Sequence, residues 1–346
     1  MIPQVFARGL TETYNDTGYL LIVGYGINSV LMIRITTPSR LHLTLIDMNA
    51  SIGRVDGGVG ITLDEPGICI TAEPEATVTV TGDDQLAERM MRAVKKVHPD
   101  AGLRIHIEDS YPPHVGLGSG TQAALAAGMA TSELYDLQLD AVEIGKKVGR
   151  GGTSGIGIAA FEKGGFILDG GHRFTDKMAF SPSSASSADP APILARHEFP
   201  DWEIVLAIPN VKGASSRQEV DIFEKICPIP LGEVQALSHI ILMKMLPAVV
   251  ESDFEAFSNA VNRIQEAGFK KHEINLQNDE IKGLMKTMRD AGSEGVGMSS
   301  FGPAVYALAE TPKNVQKAAQ EFLDQTIGGK VMITHPRNRG AKICTR

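Results

Sequence analysis

The sequence predicts a mixed α+β protein of two domains, and three observations carry that reading. Its 346 residues are about twice the ~150 typical of one domain. Leu41, Leu43 and Leu45 alternate with His42 and Thr44, the period-two pattern of a strand buried on one face. Residues 85–97 instead place their apolar side chains at helical spacing.

Composition narrows the class. An apolar fraction of 43% and a charged fraction of 21% describe an ordinary globular mixture and exclude a disordered chain or a polytopic membrane protein. Thirty-three Lys and Arg against 41 Asp and Glu give a net charge of −8, which argues against nucleic acid as the partner and leaves anions to local sites. Cys69, Cys227 and Cys344 are isolated, with no CxxC spacing, so neither a disulfide framework nor a zinc cluster is indicated, and a reducing cytoplasm is expected. The apolar residues 19–35 are interrupted by Gly24, Gly26, Asn28 and Ser29 and fall short of a membrane span of ~20 residues. Residues 1–31 read as an extension ahead of a domain that opens at Met32.

From there the elements follow in order. After the strand at 40–46, strands are predicted at 68–72, 77–81 and 103–107, with the helix at 85–97 among them. A Gly-rich turn at 116–120 leads into an Ala-rich helix over 121–135, then a helix at 141–148 and a strand at 165–168. Residues 175–200, with Ser181, Pro182, a Ser/Ala run, Asp189, Pro190 and Pro192, read as a turn-rich linker or surface loop. That places a boundary between a domain of residues 32–198 and one of residues 199–346. Beyond it, strands are predicted at 203–208, 304–308 and near Val331, and helices at 232–249, 254–267, 280–290 and 314–323. Met243 and Met245 read as core filling, or as part of a dimer seam.

The chemistry concentrates in loops. Gly116, Leu117, Gly118, Ser119, Gly120, Thr121 and Gln122 run into an apolar helix, and backbone N–H groups unhindered by Cβ atoms at a helix N-terminus form an anion site. A plain tight turn with a Ser or Thr cap is the alternative. Neither a GxxxxGK[ST] loop nor GxGxxG in a βαβ setting is present.

With Pro112 and Pro113 before it, this stretch resembles the second signature of the GHMP superfamily of small-molecule kinases. Residues 295–305 resemble the third signature, and Pro38, Ser39, Arg40, Leu41 and His42 sit where the first belongs. One departure weakens a kinase reading. Ser154, Gly155, Ile156 and Gly157, followed by Gly164 and Gly165, match a mevalonate-kinase-type element whose fourth residue is a catalytic Asp, here Gly157. RLHLTLIDMN at 40–49, GRVDGGVG at 53–60, GRGGTSGIG at 149–157 and DGGH at 169–172 instead resemble the beta-ribofuranosylaminobenzene 5'-phosphate synthases, the branch of the superfamily that is not a kinase.

The resemblance implies a GHMP-like architecture with an N-terminal ribosomal-protein-S5-like domain and a C-terminal ferredoxin-like α/β sandwich. It implies a decarboxylating transfer of phosphoribosyl pyrophosphate onto 4-aminobenzoate or 4-hydroxybenzoate, early in tetrahydromethanopterin synthesis, with Mg2+ and no organic cofactor. A homodimer is expected, and no nucleic-acid or membrane partner. Within it, residues 116–122 would hold phosphate through N–H groups and the Ser119 and Thr121 hydroxyls. Gly151, Gly152, Thr153, Ser154 and Gly155 would form a second anion nest. Arg40 and Arg150 offer forks for phosphate or carboxylate, or else surface ion pairs, and Ser299 and Ser300 lie on the third loop. His42 would carry a proton or hold the aryl carboxylate, or be a structural histidine. Asp47 and Asp56 would bind metal, or cap turns beside Asn49 and Gly57. Asp56, Asp169 and His172 are further catalytic candidates, a turn being the alternative for the last two. The rival readings are an ATP-dependent kinase in which Asp169 replaces the missing acid, and a nucleotide-binding protein without chemistry.

Overall fold

The computed structural model describes residues 10–14, 20–24, 31–182, 185–186, 188–211, 213 and 216–345. Its first part comprises β1 (Leu10–Tyr14), β2 (Leu20–Gly24), β3 (Ile33–Thr36), β4 (Ser39–Asp47), β5 (Arg54–Leu63), β6 (Cys69–Pro74), β7 (Thr79–Thr81), α1 (Asp84–Val97) and β8 (Leu103–Asp109). There follow α2 (Ser119–Leu134), α3 (Ala141–Val148), α4 (Ile156–Glu162), β9 (Phe166–Asp169), β10 (His172–Arg173), α5 (Phe174–Lys177) and β11 (Ile193–His197). The second part begins with β12 (Ile204–Pro209), α6 (Ser216–Ile226) and α7 (Leu231–Ile240), which continues through a π-helical turn, Ile241–Met245, into α8 (Leu246–Glu251). It ends with α9 (Phe254–Gln265), α10 (Gly268–Asn275), α11 (Asp279–Asp290), β13 (Gly295–Met298), β14 (Val305–Leu308), α12 (Pro312–Gln325), β15 (Gly329–Thr334) and β16 (Lys342–Thr345).

Local chemistry explains the helices that bound the site. Asp83 caps α1 by accepting the Gln85 N–H at 2.8 Å, and Leu86, Met90, Ala93, Val94 and Val97 form its buried stripe. Asp140 and Glu143 close a capping box on α3. The Ala-rich α2 is buried on nearly every side, so it runs through the core, with Gly120 and Thr121 at its N-terminus half-buried and Glu133 near its other end exposed.

The strands form three sheets beside the β1–β2 hairpin. One has the order β16-β3-β6-β8-β7, antiparallel except for β7 with β8. A second is built on β5, which pairs with β4, β9 and, at its start, β10, while β11 adds to β9. The third, β13-β14-β12-β15, is antiparallel throughout and follows the βαββαβ plan, the ferredoxin-like arrangement expected of the second half. One core runs through both halves, joined by contacts among Phe166, Phe199 and Phe257.

Several elements differ from the sequence reading. The stretch 175–200 is not all linker, because residues 193–197 form β11 on the edge of the second sheet. Residues 54–60 of the GRVDGGVG motif, to which the sequence reading assigned no element, lie in a strand paired on both sides. Residues 342–345 leave the 199–346 unit to cover the otherwise open edge of β3. Residues 335–341 are stitched across the first half on the way, with Arg337 donating to the Asp64 carboxylate at 2.9 Å and to the Gly340 carbonyl. Of the 1–31 extension, residues 10–14 and 20–24 form the hairpin, Leu31 precedes β3, and the rest lies outside the described residues. Met245 is buried as expected of core, whereas Met243, Leu242 and Val250 lie more than 60% exposed.

Candidate active site

A cleft of about 750 Å3 opens at the N-terminus of α2, between α1, the loop of residues 149–154, β4 and α6. Three sequence segments converge there. Gly116 and Gly118 take φ of 88° and 85°, a backbone that side chains disfavour, and Gly118 caps α2 without a side-chain bond. Arg40 on β4 donates to the Gly116 carbonyl. Ser299 donates its hydroxyl to the same carbonyl at 2.7 Å and accepts the His42 N–H at 3.0 Å, while the Ser300 N–H donates to the His42 carbonyl at 2.8 Å. The loop after β13 thus braces both β4 and the Gly-rich turn. Ser299 is buried in that bracing and Ser300 lines the cleft.

The outer end of the cleft is cationic. Arg89, Arg92 and Lys96 of α1 face it together with Arg150, and Arg40 lies further in. Missing side chains at α2 let two of them approach: a Cβ on Gly118 would sit 3.2 Å from Arg40, and one on Gly120 would sit 3.0 Å from Arg89. Among the described residues the arginines in ion pairs are Arg34, Arg92, Arg104 and Arg337, so Arg40, Arg89 and Arg150 are in none. Burial pulls Arg40 down to about 10 and lowers Arg89, to which the neighbouring charge of Arg92 adds.

The inner end mixes apolar and titratable groups. Leu45, Phe223 and Phe301 offer an apolar wall. His42 is 6% exposed and neither ring nitrogen has a hydrogen-bond partner. Burial, then the charges of Arg40 and Lys270, hold it well below the ordinary imidazole value, so it is neutral. Glu219 of α6 is pushed up to about 7 by burial and by Glu273, against the pull of Arg40. Glu273 itself pairs with buried Lys270 at 2.5 Å, and the Lys270 ammonium also donates to the Ser300 carbonyl.

Behind the cleft the remaining candidates are already saturated. Lys177 donates to both Asp56 oxygens at 2.8 and 2.7 Å, to the Thr153 hydroxyl at 3.1 Å and to the Ser181 carbonyl at 2.8 Å. His172 contacts Asp56 through Nδ1 at 2.7 Å and the Asp189 carbonyl through Nε2 at 2.9 Å. Asp169 accepts the Ser154 hydroxyl at 2.8 Å and the Gly155 and Gly171 N–H groups, and burial raises it to about 6 against those bonds. Asp56, Asp169 and His172 therefore fasten the loops of residues 151–155 and 170–172, and the lining of the cleft does not include them. In the same loop Thr153 and Ser154 line the cleft but spend their hydroxyls on Ser181 and Asp169. Gly151 and Gly152 pack against Pro190 and Ser186.

The two carboxylates expected to hold a metal, Asp47 and Asp56, are both engaged within the chain. Asp47 accepts the Asn49 and Ala50 N–H groups and caps its own turn, although it pairs in register with Asp56. Among the described residues no three His, Cys, Asp or Glu side chains converge to hold an ion.

Sequence reasoning missed Arg89, Arg92 and Lys96, whose signal was a basic stripe at helical spacing. It also missed Glu219, Phe223 and Lys177, which no motif marks.

This chain matches the GHMP kinases N terminal domain family over residues 85–165 and the GHMP kinases C terminal family over residues 245–326. Its fold is that of a homoserine kinase from Cytophaga hutchinsonii, with a TM-score of 0.67 at 17% identity, covering 92% of this chain and 99% of that one. The class is thus a GHMP-fold protein with an open cleft at the N-terminus of α2. The beta-ribofuranosylphenol 5'-phosphate synthase of Archaeoglobus fulgidus is 48% identical over 90% of this chain and 99% of its own length. That of Methanothermobacter thermautotrophicus is 46% identical over 90% and 98%. This chain belongs to the beta-ribofuranosylphenol 5'-phosphate synthase family.

Proposed function

We propose that the cleft joins phosphoribosyl pyrophosphate to 4-hydroxybenzoate, giving a beta-ribofuranosylphenol 5'-phosphate, carbon dioxide and pyrophosphate, early in tetrahydromethanopterin synthesis. The identity of 48% with a relative of that name across its whole length carries the reading, and the lining of the cleft agrees with it. The relatives' names favour the hydroxy acid over the amino acid.

In the reaction the ring carbon bearing the carboxylate bonds to C1 of the ribose while the C1–O bond to pyrophosphate breaks. The electrons of that bond leave with pyrophosphate. The carboxylate then departs as carbon dioxide and returns its bonding pair to the ring. The phenolic proton, removed to make the ring nucleophilic, goes back once aromaticity is restored. The α2 N-terminus and Arg40 hold the leaving anion, an interaction that strengthens as its charge grows. Leu45, Phe223 and Phe301 stack the ring and exclude water. Glu219, poised near neutral pH, takes the phenolic proton, and neutral His42 donates a hydrogen bond that orients the aryl carboxylate. Magnesium is a substrate component here, arriving as the complex of the donor's diphosphate.

A kinase reading lacks its acid. Gly157 stands at that position with its missing Cβ 3.1 Å from Thr121, and Asp169 is engaged by Ser154, Gly155 and Gly171. We place the enzyme in the cytoplasm as a homodimer, for which exposed Leu242, Met243 and Val250 offer an apolar seam and sedimentation velocity is the check. Release of labelled carbon dioxide from carboxyl-labelled 4-hydroxybenzoate and 4-aminobenzoate tests the function. Release with magnesium phosphoribosyl pyrophosphate, absent with ATP and faster from the hydroxy acid, is expected, and no release from folded protein overturns the reading.

A further inference from the structure

We propose that the basic face of α1 is the 5′-phosphate subsite of the phosphoribosyl donor, while the diphosphate lies across the N-terminus of α2. The assignment rests on the phosphoribosyl-transfer reading above.

Arg89, Arg92 and Lys96 sit at i, i+3 and i+7, so they share one helix face and are strung over about 10 Å along its axis. They line the outer end of the cleft with Arg150, and Lys96 reaches the C-terminus of α3 through the Val148 carbonyl at 3.4 Å. The positive end of α2 lies between two guanidinium groups, Arg40 on the Gly118 side and Arg89 on the Gly120 side. Neither has an ion-pair partner among the described residues, and His42 beside them is buried with both ring nitrogens unpartnered. Like charges and a helix dipole packed together in this way repel one another, and a polyanion is the ligand chemistry that relieves them.

The ends of the donor follow from the reaction. Its reacting carbon carries the diphosphate and must meet the aromatic ring, whose wall of Leu45, Phe223 and Phe301 lies with Arg40 and His42 at the inner end. The diphosphate is therefore the anion beside Arg40. The single phosphate at the other end of the sugar extends past Gly120 to Arg89, Arg92, Lys96 and Arg150.

Calorimetric titration of the full chain with ribose 5-phosphate and, separately, with inorganic pyrophosphate tests the assignment at ~0.15 M salt, where distant charges are screened. Arg92→Gln combined with Lys96→Gln changes two exposed side chains and spares the fold. This pair should weaken ribose 5-phosphate about tenfold and pyrophosphate by less than about twofold, and Arg89→Gln should follow the same pattern. Arg40→Gln should do the reverse. Equal weakening of both ligands in the α1 variants, or weakening of pyrophosphate alone, would overturn the subsite. Failure of the underlying reading looks different, since the unsubstituted protein then releases no carbon dioxide from the aromatic acid.

Discussion

The network behind the 151–155 loop and the cleft in front of it are both rich in charge and are built on opposite plans. In the network, Asp56 is met by Lys177 and His172, and Asp169 by Ser154, Gly155 and Gly171. In the cleft, among the described residues, Arg40, Arg89 and Arg150 have no ion pair and the His42 ring nitrogens have no hydrogen-bond partner. A buried polar group that is satisfied holds the fold, and one left open is a place for a ligand. Residue type does not separate the two cases, because carboxylates and imidazoles occur in both.

Substitutions in the two regions should therefore separate stability from catalysis. The largest expected effect is in the network. Asp56→Ala strands the buried Lys177 charge and should cost about 3–5 kcal/mol in denaturant unfolding, and a loss under ~1 kcal/mol would break the contrast. In the cleft, Arg40→Gln removes a charge that has no ion-pair partner among the described residues. It should leave unfolding within about 1 kcal/mol while lowering kcat/KM for the donor about a hundredfold, a loss of ~2.7 kcal/mol in transition-state binding. Glu219→Gln should show the smallest effect, about tenfold in kcat/KM near neutral pH. Its signature is the pH profile. With a value of about 7, the carboxyl is protonated and cannot accept the phenolic hydrogen at lower pH, so activity should fall as pH drops through about 7. The acid limb should vanish in the variant, and a limb that persists would move the proton to another group.

Much of this was legible in the sequence. α1 announces itself by apolar spacing and α2 by its Ala-rich run after the Gly-rich turn, and α3 adds a capping pair, Asp140 and Glu143. Gly116, Gly118, Ser119, Gly120, Thr121, Arg40, His42, Arg150 and Ser300 are legible from motifs and line the cleft, whereas Leu117 is core and Gln122 is buried with its amide donating to the Gly157 carbonyl. β5 was missed because Gly57, Gly58 and Gly60 look like a loop. The strand needs them as gaps, since a Cβ on Gly58 would lie 2.9 Å from the His42 ring. β11 hid among the prolines of its loop, and Ile193 and Leu194 are exposed, so no buried face marked it. The network around Asp56 is not legible because its partners are remote: His172 and Lys177 lie 116 and 121 residues from Asp56. The stripe of Arg89, Arg92 and Lys96 reads in sequence as a solvated helix face, and only the approach of Gly120 shows that it fronts a site.

The pairing of β16 with β3 also bears on how the protein is made. A ribosome releases the partner of β3 roughly 300 residues after β3 itself, so this contact is among the most remote in the chain. For on the order of tens of seconds at usual elongation rates, the nascent first sheet presents an open strand edge to whatever is nearby. The last strand acts as a late latch, and chains interrupted before it would be the ones most exposed to edge-to-edge aggregation and to recognition by chaperones.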